Sequence, residues 1–269
     1  MDFLARDGSP FDSDFWSKID KTVIETASRT LIGRRFLSIY GPLGSGSISV
    51  QYDRNDREEV FQDGIVKTSG RHSVELPQLY QDFTLLWRDI ENNEKNKMPL
   101  DLSVTSFAAQ TLSNKEDELI FYGNEFVGVT GILNTKGVQK LKIGDWSTGE
   151  NPYIDIVKAI NMIREKGIVG RIVLALSQGL FFDLQRIQQG TGMTEAQRIT
   201  NMIHNLFNIP TIKGKKAAII CVEPQYIDLA IGVDMSTAYL EQKDLNHTFR
   251  IMETVLPRIK EPEAIVVLE

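Results

Sequence analysis

Asp53-Arg54-Asn55-Asp56-Arg57-Glu58-Glu59 lies inside a stretch, 48–74, that alternates only weakly between apolar and polar residues and is crowded with charge. Such a segment cannot bury a core of its own. On one side stands Tyr40-Gly41-Pro42-Leu43-Gly44-Ser45-Gly46-Ser47, a strong loop signal. On the other, Phe83-Thr84-Leu85-Leu86-Trp87 marks the return of apolar sequence. Two readings of the charged stretch stay open: a mobile surface hairpin, or an arm that orders only against a neighbouring subunit. Either way the core comes from the chain outside it.

Upstream, the spacing predicts a helix over about 14–32. Trp16, Ile19, Val23, Ala27 and Leu31 share one face, and Asp12 or Ser13 serves as its cap. Gly33 reads as the C-terminal stop, followed by Arg34-Arg35, whose charge suits the end of the helix dipole. Downstream, a long helix is expected over about 101–118, with Leu102, Phe107, Ala108 and Leu112 toward one side. The segment 152–234 has an α/β rhythm. Helices are expected at 153–165, 180–187 and 194–206, and strands at 171–176, 217–222 and 227–231; the tail, 247–268, reads as strands. No internal repeat or low-complexity tract breaks this pattern.

At 269 residues the chain makes one large domain or two small ones. It is 42% hydrophobic and 25% charged, which excludes a disordered or collagen-like chain. Lys+Arg is 30 against Asp+Glu 36, a net charge of −6, so the basic footprint of a nucleic-acid binder is absent. Cys221 is the only cysteine, which rules out an internal disulfide and fits a reducing compartment. No apolar run approaches the roughly 18 residues a membrane helix needs. The opening residues, 1–7, lack the basic-then-apolar pattern of a secretory signal. A soluble cytoplasmic protein is expected, with no membrane and no nucleic acid among its partners.

The residues that could carry chemistry are sparse. His72, His204 and His247 fall at no metal-ligand spacing, and no G-x-S-x-G elbow is present. Cys221 sits in an apolar strand and reads as a buried small hydrophobe. Gly44-Ser45-Gly46 and Gly190-Thr191-Gly192 lack the Lys-Ser/Thr ending of a phosphate loop. Glu116-Asp117-Glu118 reads as a solvated or interface charge cluster rather than a pair of catalytic acids. With no catalytic constellation, the weight moves from an enzyme to a binding or assembly protein.

Several blocks point further. They are Trp16, Ile19-Asp20, Leu31-Ile32-Gly33-Arg34-Arg35-Phe36, Gly41-Pro42, Phe83-Thr84-Leu85-Leu86-Trp87, Asp101-Leu102-Ser103, the run 116–123, Gly128-Val129-Thr130-Gly131-Ile132-Leu133, Arg250-Ile251-Met252-Glu253-Thr254 and Pro262-Glu263-Ala264-Ile265. In this order, over nearly the whole chain, they resemble the encapsulins, bacterial nanocompartment shell proteins. The stretches 40–44 and 245–260 look most like shells that house iron-mineralising, ferritin-like cargo. The resemblance implies an α+β chain with the Hong Kong 97-type phage major capsid fold. Its expected parts are the opening helix and start of a peripheral domain (1–47), an extended arm (48–80), the rest of the peripheral domain with its spine helix (81–134), an axial domain (135–235) and C-terminal strands (236–269).

The function so implied is a self-assembling icosahedral shell for iron storage and protection from oxidative stress. Its partners are its own copies and a cargo protein held by a C-terminal targeting peptide. The resemblance assigns the peptide groove to Ile24, Ala27, Leu31, Arg34, Ser38, Leu229 and Ile231, with Ser38 standing where the family has an acid. It assigns a five-fold pore loop, passing small ions, to Gln189, Gly190, Thr191, Gly192, Met193 and Thr194. Some members hold a flavin near a tryptophan. Trp87 matches that tryptophan and Leu79 stands in place of its arginine partner, so no cofactor is expected apart from a flavin at Trp87. No metal site and no catalytic residue are expected. Two other readings remain: a phage or prophage capsid protein, and a bacteriocin or protease, as older descriptions of the family have it.

Overall fold

The structure, a computed structural model, describes residues 3–188, 190 and 192–269, without the side chains of 55 and 56. The first helix, α1 (Ser13–Thr30), is capped by Asp12, whose carboxylate accepts the Phe15 N–H at 2.8 Å. Trp16, Ile19, Val23 and Ala27 form its buried face. It ends before Gly33, which opens a single 3-10 turn, Gly33–Arg35. Gly33 is therefore not the left-handed stop its position suggested. A Cβ there would lie 2.4 Å from Ile120 Cδ1, so a close approach between distant segments demands the glycine.

Strand β1 (Ile39–Tyr40) leads into a long hairpin, β2 (Ser49–Gln62) and β3 (Ile65–Glu75). Asp63 and Gly64 both have positive φ, the pattern of a two-residue hairpin turn. The two strands pair with each other and form a sheet of their own. Asp53 binds Arg71 at 2.8 Å and also Arg57, and those hydrogen bonds hold its carboxyl down to about 2. The hairpin closes at Glu75. Residues 78–80, expected in the arm, belong instead to β4 (Gln78–Leu85), which joins the main body.

Next come α2 (Trp87–Asn96) and α3 (Ser103–Tyr122), then the small pair β5 (Gly123–Asn124) and β6 (Val129–Thr130). Phe107, expected on the apolar side of α3, is instead 66% exposed. The remainder is β7 (Gln139–Leu141), α4 (Asn151–Glu165), β8 (Ile172–Leu176), α5 (Gln178–Asp183), α6 (Glu195–Thr200), β9 (Asn205–Asn208), β10 (Ala217–Cys221), β11 (Ile227–Ile231), β12 (Ser236–Lys243), β13 (Asn246–Ile259) and β14 (Ile265–Leu268). Helices α5 and α6 are shorter than expected. The residues just after α6 turn into β9, whose parallel pairing with β8 overrides local helix preference.

Two five-stranded sheets organise the chain. In the first, β13 is the long central strand: it pairs with β11, β12 and β4, and β11 also pairs with β1. Helices α1 and α3 pack on it around Ile19, Leu112 and Phe249, all fully buried. The second sheet runs β7-β14-β10-β8-β9. Strands β8 and β10 are buried along their whole length, which explains their unbroken apolar sequence. Helix α4 covers this sheet through Ile156, Ala159 and Ile163. Among the described residues no helix is long and apolar enough to cross a membrane.

Candidate guest-binding groove

The last turns of α1, the 3-10 turn and the segment after β11 enclose a hollow of about 290 Å³. Four of the seven expected groove residues line it: Ile24, Ala27, Leu31 and Arg34. Ala27 and Leu31 are 7% and 6% exposed and make the floor, while Ile24 stands 60% exposed on the wall. Leu229 and Ile231 lie elsewhere. Both are buried in β11, which is hydrogen-bonded between β1 and β13, so they are core residues and the expectation for them is corrected. Ser38 is also outside the lining; its carbonyl accepts the Leu229 N–H at 2.9 Å.

Arg34 is committed inside the protein. Its Nε donates to Glu116 at 2.9 Å, and its Nη2 donates to Glu116 and Glu253, each at 2.6 Å. Its Nη1 donates to Asp234 at 2.6 Å. Glu116 and Glu253 are fully buried. Burial by itself would lower the arginine's pKa; the bond and charge of Glu116, then Glu253 and Asp234, raise it instead. Burial pushes the Glu253 carboxyl well above its ordinary range, and the Glu116 charge adds to this against the pull of Arg34. One Glu253 oxygen, Oε1, has no hydrogen-bond partner.

Asp117 completes the cluster. It accepts the Gly33 N–H at 2.8 Å and the Ile32 N–H at 3.2 Å, tying α3 to the end of α1. Burial nevertheless pushes its carboxyl up to about 7, over the opposing effect of those two N–H groups. The expectation of a solvated or interface charge cluster at 116–118 thus fails for Glu116 and Asp117, which are buried inside the chain, while Glu118 is exposed. Asp234, Met235 and Arg35 are groove residues that sequence reasoning missed, and so is Glu253, which lies buried beneath the groove and holds Arg34. The signal for Glu253 was present: Phe249, Ile251, Glu253 and Val255 alternate along one inward face of β13.

The described residues of the expected pore loop close on each other at its base. Ile187 and Thr194 form an isolated bridge, and the Gln188 N–H meets the Met193 carbonyl at 2.9 Å. Gly190 and Gly192 have positive φ, and Thr194 caps α6 in a reciprocal box with Gln197. Gln189 and Thr191 lie outside the described residues.

Trp87 starts α2 and is 38% exposed, in a hollow shared with Glu91 and Glu94. The Arg88 guanidinium lies over its ring, 5.5 Å from the centroid. Leu79 faces Glu253 across β4 and β13 and packs on the core. Leu79 thus supplies no charge beside Trp87, and the charged groups near the ring are Arg88, Glu91 and Glu94.

The Linocin_M18 family profile, described as encapsulating protein for peroxidase, matches residues 1–256. A type 1 encapsulin shell protein of Myxococcus xanthus is 36% identical over 277 residues, covering 100% of this chain and 96% of that protein. A diheme-cytochrome-encapsulin shell fusion protein of Kuenenia stuttgartiensis is 33% identical, over 94% of this chain and 72% of its own. Among solved structures, a virus-like particle from Pyrococcus furiosus superposes with a TM-score of 0.78 at 21% identity, over 95% of this chain and 99% of that one. The capsid of Myoviridae phage XM1 gives a TM-score of 0.67 at 16% identity, over 89% and 91%. The expected Hong Kong 97-type capsid fold is therefore the fold of this protein, and the chain belongs to the Linocin_M18 family of encapsulin shell proteins.

Proposed function

We propose that this chain is the subunit of an icosahedral shell that encloses a guest protein, and that the groove beside α1 holds a short C-terminal peptide of that guest. The observation that carries the assembly is the hairpin β2–β3. Among the described residues it pairs with no other strand, and its tip exposes Phe61 and Ile65 at 70% and 71%. Apolar side chains and open strand edges of this kind are features that another chain covers well. A neighbouring copy is the partner that identical subunits always supply, and repetition of the contact closes the container.

The groove supports the second half of the reading. An exposed isoleucine beside an apolar floor is a surface that a short extended peptide covers well. One such contact is weak, but an oligomeric guest engages several grooves at once, which multiplies its retention. The guest is read as a ferritin-like, iron-mineralising enzyme, because 40–44 and 245–260 resemble shells of that cargo. Iron storage and protection from oxidative stress follow from the guest, and this chain supplies no catalytic group. The loop 188–194 is read as the pore lining that admits small ions, and the shell is read as cytoplasmic.

Electron microscopy of the protein expressed alone, with native mass measurement, tests the assembly. Closed hollow particles of uniform diameter are expected. A population that stays monomeric or in small oligomers at neutral pH and moderate salt overturns the reading.

A further inference from the structure

Resting on the reading of the groove as a guest site, we propose that Arg35, and not Arg34, is the residue that selects the guest, and that it does so by pairing with a carboxylate on an otherwise apolar peptide. Arg34 is the obvious candidate by position, but four of its five N–H groups are already engaged within the chain. Its Nε, Nη1 and Nη2 are all taken by Glu116, Asp234 and Glu253. Turning Nε or Nη2 toward a guest would weaken the hold on Glu116 or Glu253, both fully buried, which is strongly unfavourable, and Nη1 is held by the exposed Asp234.

Arg35 differs in each respect. It is exposed, lines the same hollow, and makes no ion pair among the described residues. Its one side-chain hydrogen bond among the described residues runs from Nη2 to the Arg29 carbonyl at 2.7 Å. That bond fixes the planar head and leaves Nε and Nη1 free to donate. A guanidinium held in this way is suited to a carboxylate, which it binds with charge-assisted hydrogen bonds. The neighbouring surface is Ile24, Leu31 and Met235. The occupant these residues describe is an extended segment with apolar side chains against α1 and one acidic group at Arg35.

The test uses whole shells. A fluorescent reporter protein is co-expressed with the shell, carrying a short tail of glycine, serine and leucine with one glutamate, or its glutamine twin. Fluorescence per purified shell measures loading. The glutamate tail is expected to load about tenfold better than its twin, the ratio for one charge-assisted hydrogen bond. Arg35→Gln is expected to erase that difference while shells still form, and Arg35→Glu to reverse it toward a lysine tail. Equal loading of the two tails in the native shell, or a preference that survives Arg35→Gln, overturns the role of Arg35. The groove is tested separately by Ile24→Asp. If that variant loads the glutamate tail as well as the native shell, or if no tail loads above the untailed reporter, the groove reading itself falls.

Discussion

The chemistry of single residues concentrates where α1, α3 and β13 meet. Glu116 and Glu253 bring two carboxylates into a nearly dry space against Arg34, and Asp117 is buried beside them with the Arg35 charge nearby. Removing one partner from a buried ionic cluster typically costs about 3–5 kcal/mol, so this cluster fixes the junction that shapes the groove. Asp117 also makes the junction sensitive to pH. Its folded pKa of about 7 lies above the ordinary 3.8, so the folded state keeps a proton that the unfolded chain has lost. That contribution is fully present below about pH 4 and is lost as pH rises to about 7. The whole effect is on the order of 4 kcal/mol. Glu253 is shifted in the same direction and acts with the same sign. In Asp117→Asn the amide oxygen can still accept from Gly33, but the group no longer titrates. Thermal unfolding from pH 4 to pH 8 is expected to show a shallower fall for the variant, with its gain over the native protein largest at pH 8. Parallel curves for the two proteins would mean that Asp117 is ionised throughout.

Among the elements, the hairpin β2–β3 is the one whose absence the rest of the chain tolerates. Its base is held by Val50 and Leu76, both 5% exposed, whereas the strands beyond are half-buried or exposed. Replacing 52–73 by a short glycine-serine link is expected to leave a folded monomer, with a melting temperature within a few degrees of the unassembled native chain. It is also expected to abolish shells in the microscope. Shells that still close would show that the arm is not what joins the copies. The hairpin was legible in sequence because charge density is a local property, and the Asp63-Gly64 turn that sets its register was legible too, though it went unread. What sequence could not supply is contact across distance. Gly33 was read as a helix stop because Ile120, the atom group that excludes a side chain there, is far away in the chain. Leu229 and Ile231 were assigned to a surface, yet the continuous buried run Ile227–Ile231 is the pattern of a strand covered on both faces. Even its aspartate is buried, held by Arg258 through two 2.6 Å bonds.

For the whole molecule, charge repeats with every copy. Each chain carries a net −6, so a closed container multiplies an acidic surface and draws cations toward it. The route inward, in the function proposed, passes the loop 188–194. Gly190 has φ +83° and open space around the position of a Cβ, and aspartate is among the side chains that tolerate that backbone region. In that function Gly190→Asp would place a ring of carboxylates at a pore mouth, at the cost of some backbone strain that aspartate bears better than most side chains. A ring of that kind concentrates ferrous ions and repels anions at low ionic strength, and salt screens both effects. In shells loaded with an iron-oxidising guest, the initial rate of iron uptake is expected to rise several-fold in Gly190→Asp at low salt. The difference should shrink toward zero above about 0.5 M salt, where the screening length falls to a few ångströms. An uptake rate that ignores both the substitution and the salt would mean that iron enters by another opening.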